Sequence, residues 1–112
     1  YVDDHVEALI LAANRGSIGE CYCIGGNSEK NNLHIINMIC KLLDELMPRK
    51  SSYSNLIEYV KDRPGHDRRY AINPIKIKSE LGWKPSLTFE DGLIKTVKWY
   101  LQNKEWWEPL IL

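Results

Sequence analysis

The sequence lacks a net charge, because 15 Lys and Arg side chains balance 15 Asp and Glu side chains over 112 residues. Proteins that bind nucleic acid or membrane surfaces without specificity carry a basic surplus, so the balance argues against both classes. No run of about 18 apolar residues indicates a membrane span, and no signal-peptide pattern is present. Any site for an anion must therefore be local.

Cysteines are few, and a glycine-rich cofactor loop is missing. The odd set of Cys21, Cys23 and Cys40 gives no disulfide framework, and no His or Cys cluster completes a zinc site. We therefore expect buried, reduced thiols in a cytoplasmic protein, with no metal site. Neither Gly-x-Gly-x-x-Gly nor Gly-x-x-Gly-x-x-Gly occurs, so no dinucleotide-binding loop is expected within this chain.

The start of the sequence also lacks a methionine. Tyr1 and Val2 already have the composition of a strand end. We therefore expect this chain to be a piece of a longer protein.

Apolar residues spaced three and four positions apart predict a first helix over residues 4–15. Asp4 and Glu7 have the spacing of a capping box, and Gly16 is a suitable C-terminal stop. The pattern predicts an amphipathic helix.

Three more helices and two strands are predicted downstream. The helices are expected from Asn31 or Asn32 to Met47, from Pro74 to Gly82, and from a Thr88 cap with Asp91 three residues later. Alternating residues 20–26 and the segment 56–60 are strand candidates, which pair with each other or with strands outside this sequence. The expected class is α/β, mostly helical with two or three short strands.

The stretch YVKDRPGHDRRYAIN, residues 59–73, concentrates charge around a turn. Pro64 and Gly65 bend the chain directly after a predicted strand, so Arg63 and His66 lie on either side of the bend. A glycine permits close approach of a ligand, a guanidinium matches phosphate oxygens bidentately, and a histidine adds a donor. The combination suits a diphosphate.

A purely structural interpretation of the same stretch competes with this one. Arg63 would then pair with Asp62 or Asp67 at the surface, and His66 would be an ordinary loop residue. For Arg68 and Arg69, which point to opposite faces of an extended chain, ion-paired scaffolding is the better interpretation.

Two asparagines lie where the second helix begins. Either Asn31 or Asn32 is expected to cap the helix, while the other faces a phosphate or sugar oxygen at the positive helix end. Both interpretations are compatible.

Tyr100 and Lys104 have the Tyr-x-x-x-Lys spacing by which a lysine lowers the pKa of a catalytic tyrosine. Tyr100 falls on the predicted buried stripe of the last helix, and no catalytic Ser or Thr accompanies the pair. We interpret it as structural. The tryptophans are interpreted as packing residues.

Four segments together resemble the C-terminal third of the dTDP-glucose 4,6-dehydratases, a family of extended short-chain dehydrogenases/reductases. They are YVDDHVEALILA, CYCIGGNSEKNNLHIINMICKLLDEL, DRPGHDRRYAIN and KIKSELGWKPSLTFEDGLIKTVKWYLQNKEWW. The resemblance covers essentially the whole chain in unbroken order. ELGWKP is shared by many nucleotide-sugar epimerases and dehydratases, whereas DRPGHDRRYAI preceded by GGxxEKxN is more specific.

The resemblance implies that residues 1–112 are the C-terminal nucleotide-sugar-binding lobe of a Rossmann-type enzyme. NAD would bind to an N-terminal Rossmann domain outside this chain, together with every catalytic residue. Such an enzyme oxidises dTDP-glucose at C4, eliminates water across C5 and C6, and returns the hydride at C6. The resemblance further implies that the enzyme is a cytoplasmic homodimer. Its product would be a precursor of rhamnose and other deoxysugars of surface polysaccharides.

The same resemblance assigns substrate contacts. The residues matched to nucleotide-diphosphate contacts are Asn32, Asp62, Arg63, Pro64, Gly65 and His66. Asn31 stands where the commoner form has a lysine. The alternatives are part of a UDP-sugar decarboxylase or hexose 4-epimerase, or a non-catalytic nucleic-acid-binding module that uses the arginines and tryptophans.

Overall fold

The structure is a computed structural model that describes residues 1–111. Its α-helices are α1 (Val2–Arg15), α2 (Asn32–Leu46), α3 (Ile75–Leu81), α4 (Phe89–Gln102) and α5 (Lys104–Trp107), and short 3-10 helices span Tyr53–Leu56 and Glu108–Leu110. The chain divides into two compact units. The first unit contains Tyr1–Glu29 and Arg68–Gly92, and the second contains Lys30–Asp67 and the chain from Leu93 onward.

The expected strands are not confirmed, because residues 1–111 contain no strand. Val2 already lies in α1, Leu56 ends the 3-10 helix Tyr53–Leu56, and residues 20–24 and 57–60 are irregular. A strand exists only through hydrogen bonds to a neighbouring strand, and these segments have none within the described chain. The described part of the chain is therefore helical rather than α/β.

Residues 20–24 nevertheless retain an alternating pattern of side chains. Tyr22 and Ile24 pack against the core of the first unit, whereas Cys21 and Cys23 are exposed. The prediction that all three cysteines are buried is thus wrong for Cys21 and Cys23. Of the three, Cys40 on α2 is buried. The two faces differ because period-two alternation sends successive side chains in opposite directions.

Helices α1 and α3 form the core of the first unit. Ala8 and Ile77 are completely buried, and Leu81 and Trp83 are each 7% exposed. Burial of large apolar side chains is the main favourable contribution to folding here. The prediction that Trp83 belongs to the core is confirmed.

Asp4 has a different role from the predicted helix cap. It lies inside the first turn of α1, is 4% exposed, and makes no capping hydrogen bond, since Tyr1 occupies the N-cap position. Its Oδ1 accepts hydrogen bonds from Ser86 N (2.8 Å) and Ser86 Oγ (2.6 Å), and its backbone oxygen accepts one from Trp83 Nε1 (3.2 Å). Asp4 therefore joins α1 to the segment before α4.

Glycines end α1 and α3 for two different reasons. Gly82 closes α3 with φ of 73°, the left-handed conformation that glycine adopts without a steric penalty. Gly16 ends α1 with extended backbone, but a Cβ there would lie 2.4 Å from Ala12 O and 3.0 Å from Tyr22 Cε2. Both predicted stops are confirmed, and the second depends on close packing.

The starts of α3 and α4 differ in their capping. Pro74 is the N-cap of α3 and makes no side-chain capping hydrogen bond, although Asn73 Oδ1 accepts a hydrogen bond from Ile75 N at 3.0 Å, and α3 begins one residue later than predicted. Thr88 Oγ1 accepts one from Asp91 N (3.1 Å) and donates one to Asp91 Oδ2 (2.6 Å). The predicted Thr88 cap is confirmed.

Replacing Thr88 by alanine should lower the free energy of unfolding by about 1 kcal/mol, because α4 loses a side-chain acceptor at its first turn. Chemical denaturation measures the change, and Thr88→Ser is the matched control because it keeps the hydroxyl. Equal losses in the two variants would contradict a capping role.

The loop after α2 is organised by polar contacts in the second unit. Asp44 accepts hydrogen bonds from Ser52 Oγ (2.6 Å) and Tyr53 N (2.8 Å), and these contacts lower the pKa of its carboxyl. The Arg49 guanidinium lies 4.5 Å from the Tyr53 ring centroid. This loop leads into the segment that carries the candidate site.

Helices α4 and α5 carry a cluster of aromatic residues in the second unit. Trp99 contacts Tyr100 and Trp106 edge to face, with ring centroids 5.2 and 5.3 Å apart. Tyr100 is 50% exposed, so its predicted burial was wrong, whereas Val97 on α4 is buried. No helix within residues 1–111 is both long and apolar enough to cross a membrane.

Candidate functional site

The turn at residues 62–66 is closed by its own side chains. Asp62 Oδ1 accepts a hydrogen bond from Arg63 N at 2.9 Å and lies 2.6 Å from His66 Nδ1. Pro64 and Gly65 form the bend between them. The turn is exposed to solvent along its length, so these local contacts define its shape.

Gly65 is required by its backbone conformation rather than by a lack of space. Its φ is +69°, and a Cβ added there would meet nothing within 4 Å. A side chain at this position would be strained in the left-handed region. The open space beside Gly65 would permit a ligand to approach closely, as the sequence analysis predicted.

The Arg63 guanidinium is exposed and forms no ion pair with any carboxylate among residues 1–111. The predicted alternative, a surface ion pair with Asp62 or Asp67, is wrong because Asp62 accepts from His66 and from the Arg63 backbone instead. A guanidinium held on a shaped turn without a carboxylate can bind phosphate oxygens bidentately.

The hydrogen bond from His66 is the largest cause that lowers the pKa of the Asp62 carboxyl; burial opposes it, and the Arg63 backbone N–H and the charge of His66 add smaller lowering effects. A carboxyl whose pKa is depressed in the folded state stabilises that state above its ordinary pKa. The contribution disappears as the pH falls through the folded-state pKa. The closed turn is therefore expected at neutral pH.

Replacing His66 by alanine should raise the pKa of the Asp62 carboxyl towards its ordinary value, because the largest cause of its depression is removed. Carbon-detected NMR titration of the Asp62 side chain measures the midpoint. His5→Ala, which alters an exposed histidine on α1, is the control. An unchanged Asp62 midpoint in His66→Ala would show that the contact does not persist in solution.

The two asparagines at the start of α2 have different roles. Asn31 is the N-cap, and its Oδ1 accepts a hydrogen bond from His34 N at 2.8 Å. Asn32 is the first helical residue, is exposed, and makes no side-chain hydrogen bond within the described chain. The prediction that one asparagine caps the helix is confirmed for Asn31, and Asn32 remains available to a ligand.

The predicted site residues lie in two groups of the second unit. Five of them form the turn at residues 62–66, whereas Asn32 lies at the start of α2. No hydrogen bond within residues 1–111 joins Asn32 to that turn. The structure therefore places the predicted site residues in two groups without a direct hydrogen bond between them.

An ion pair that sequence reasoning missed lies in the first unit. Arg69 Nε and Nη2 approach Glu29 Oε2 at 2.8 and 2.6 Å. The expectation that Arg69 is ion-paired scaffolding is met, but its partner lies 40 positions away. No local sequence signal identifies such a pair, because any of 15 acidic residues could have been the partner.

The Tyr100 and Lys104 pair does not have the geometry of a catalytic Tyr-x-x-x-Lys. Asn103 separates α4, which carries Tyr100, from α5, which begins at Lys104. The structural interpretation agrees with this interruption.

Within the described residues, no group of three or more His, Cys, Asp or Glu side chains could hold a metal ion.

A comparison with models of protein families shows to which family this chain belongs. A family model described as GDP-mannose 4,6 dehydratase matches residues 1–96. The chain belongs to this family. The family's match includes the whole turn at residues 62–66 and the start of α2.

Relatives of this GDP-mannose 4,6-dehydratase family member include proteins named as dTDP-glucose 4,6-dehydratases. The chain is 54% identical over 110 residues to a probable dTDP-glucose 4,6-dehydratase of Sinorhizobium fredii, covering 98% of this chain and 31% of the relative. It is 57% identical over 106 residues to dTDP-glucose 4,6-dehydratase of Salmonella typhimurium, covering 95% and 29%. The chain thus spans about a third of the length of these relatives.

Solved structures of similar proteins have the same fold over this region. The chain resembles a dTDP-glucose 4,6-dehydratase of Bacillus anthracis in complex with NAD, with a TM-score of 0.82, 49% identity and coverage of 97% of this chain and 32% of that one. It also resembles the Streptomyces venezuelae enzyme with NAD and TYD bound, with a TM-score of 0.85, 39% identity and coverage of 96% and 31%. The chain therefore has the fold of about a third of each of these solved structures.

Proposed function

We propose that this chain is the C-terminal nucleotide-sugar-binding part of an NAD-dependent dTDP-glucose 4,6-dehydratase. The names of the relatives and the lengths over which they match support this assignment. The whole enzyme would oxidise the sugar at C4, eliminate water across C5 and C6, and return the hydride at C6. The observation that carries the binding role is the exposed Arg63 guanidinium, which has no ion-pair partner within residues 1–111 and lies on a turn that Asp62 and His66 close.

The proposed binding mode uses each residue according to its chemistry. Arg63 donates two parallel hydrogen bonds to diphosphate oxygens, and Asn32 donates from its amide beside the positive end of α2. The bend at Pro64 and Gly65 lets the ligand approach the backbone closely. Asp62 orients His66 by accepting from its Nδ1, so the second ring nitrogen, Nε2, faces outward.

The protonation of His66 affects its role. An ionised Asp62 only accepts hydrogen bonds, so the proton in their contact lies on His66 Nδ1. The ring can then donate from Nε2 to a phosphate oxygen only in its doubly protonated form.

The residues of this chain do not fit the cofactor. Residues 1–111 contain no strand, and the sequence has no glycine-rich loop to hold a dinucleotide phosphate. NAD binding and the catalytic groups are therefore assigned to the part of the enzyme outside this chain. The chain's own contribution is to bind and orient the nucleotide end of the substrate.

Further features of the whole enzyme complete the proposal. We assign dTDP-glucose as the substrate, a homodimer as the assembly, and the cytoplasm as the location, in a route to rhamnose and related deoxysugars of surface polysaccharides. The balanced charge of the chain supports the absence of a nucleic-acid or membrane partner.

Calorimetry and product analysis on the full-length enzyme test the function. We expect dTDP-glucose to bind more tightly than UDP-glucose or GDP-mannose, and NMR to detect a 4-keto-6-deoxy sugar as the product. Tighter binding of a UDP sugar would instead indicate a decarboxylase or 4-epimerase. Steeply salt-dependent, submicromolar binding of a single-stranded oligonucleotide would favour the nucleic-acid-binding alternative.

A further inference from the structure

The ion pair between Glu29 and Arg69 joins two irregular segments that lie far apart in the sequence. Both side chains are largely exposed, at 54% and 71% respectively, and both nitrogens of the contact approach the same oxygen, Glu29 Oε2. An exposed ion pair contributes little to overall stability. Its placement, rather than its strength, indicates a role.

A second contact determines how these two segments align. The Cβ position of Gly25 would lie 3.0 Å from both Cβ and Cγ2 of Ile72, so the two chains touch closely there. Position 25 is thus opposite 72, and position 29 is opposite 69. The numbers rise along one segment and fall along the other, so the segments run antiparallel.

This alignment has a consequence for the chain beyond Glu29. In an antiparallel pair, the chain that continues after one segment and the chain that precedes the other leave at the same end. Three residues after Glu29 the chain reaches Asn32, and three residues before Arg69 it reaches His66. Each part of the proposed site is thus three residues along the chain from one member of the ion pair.

We propose that Glu29 and Arg69 form a positioning pair that sets the spacing between Asn32 and the turn at residues 62–66. The inference rests on the proposed function, since it concerns the diphosphate site assigned there. Asn32 and the turn share no hydrogen bond within the described chain, and each follows or precedes one member of the ion pair by three residues. A small misplacement of groups that act on one ligand weakens their joint binding.

The test compares Glu29→Gln with wild type in the full-length enzyme, using dTDP-glucose as the probe. We expect its dissociation constant and KM to rise roughly two- to fivefold, the range of an exposed ion pair, while kcat stays unchanged. The difference should shrink at 1 M NaCl, because salt screens the pair in the wild type. Glu45→Gln on α2, an exposed carboxylate without an ion pair, is the matched control and should bind like wild type.

Charge reversal separates positioning from a general effect on folding. Arg69→Glu alone should weaken binding, and the double variant Glu29→Arg with Arg69→Glu should restore the dissociation constant to within about twofold of wild type. Glu29→Gln binding equal to Glu45→Gln would overturn the proposal, as would a double variant no better than its single parents.

The outcome for Arg63→Ala distinguishes failure of this inference from failure of the site. If Arg63→Ala weakens binding while Glu29→Gln does not, the positioning pair is wrong and the diphosphate site stands. If Arg63→Ala leaves binding unchanged, the assigned site itself is wrong, and the positioning pair is overturned with it.

Discussion

Replacing Arg63 by alanine in the full-length enzyme should weaken nucleotide-sugar binding by about 1.5 to 3 kcal/mol, the range for a charge-assisted hydrogen-bonded contact. This corresponds to a dissociation constant raised roughly ten- to a hundredfold. The effect is large because the guanidinium spends no energy on breaking an existing ion pair before it binds the ligand. Isothermal titration calorimetry with dTDP-glucose and with dTDP alone measures it.

Two further variants sharpen the Arg63 result. Arg68→Ala removes an exposed guanidinium five residues along the same stretch and should leave binding near the wild-type value. Arg63→Lys keeps the charge but loses the planar pair of donors, so we expect an intermediate loss. Because Arg63 is exposed, melting temperatures should agree among all variants, and a dissociation constant unchanged in Arg63→Ala would rule out its role.

Replacing Asp4 by alanine should destabilise the first unit by about 2 to 4 kcal/mol, because a buried carboxylate with two short hydrogen bonds is lost. The Ser86 hydroxyl and backbone N–H lose their acceptor, and the link from α1 to the segment before α4 is broken. Native-state hydrogen exchange of the α1 amides and the Trp83 indole N–H measures the local change. The matched control is Asp3→Ala, which removes an exposed carboxylate from the same helical turn.

The stabilising effect of Asp4 should depend on pH in a defined direction. The Ser86 hydroxyl, then the Ser86 and Leu87 backbone N–H groups, lower the pKa of the Asp4 carboxyl, while burial acts in the opposite direction. A depressed folded-state pKa means stability present above about pH 4 and lost as the pH falls further. Asp4→Asn should remove part of this acid dependence. An acid dependence identical in wild type and Asp4→Asn would contradict the prediction.

The sequence alone was sufficient where the determinants are local. The N-terminal cap at Thr88, the stops at Gly16 and Gly82 and the end of α2 beside Met47 were all predicted, because each depends on a few adjacent residues. The turn at residues 62–66 was located for the same reason. Its residue types also indicated the chemistry of an anion site, and the resemblance supplied the ligand.

The tertiary structure decided which contacts the charged residues make. Asp4 looked like part of a capping box, but it is a buried acceptor for Ser86, 82 positions away. Glu29 attracted no notice until the structure placed it beside Arg69. The alternation at residues 20–24 was real, yet no strand forms there within the described chain, because a strand needs a partner.

What the sequence by itself determined, then, is the order and limits of most helices and the location of a turn suited to a phosphate. What only the tertiary structure decided is that Arg63 has no ion-pair partner among the described residues, that Asp62 is hydrogen-bonded to His66, and that Glu29 pairs with Arg69. Local backbone preferences act over a few residues, so they can be predicted from the sequence. Pairing of charges across 40 or 80 positions depends on how the chain folds back on itself.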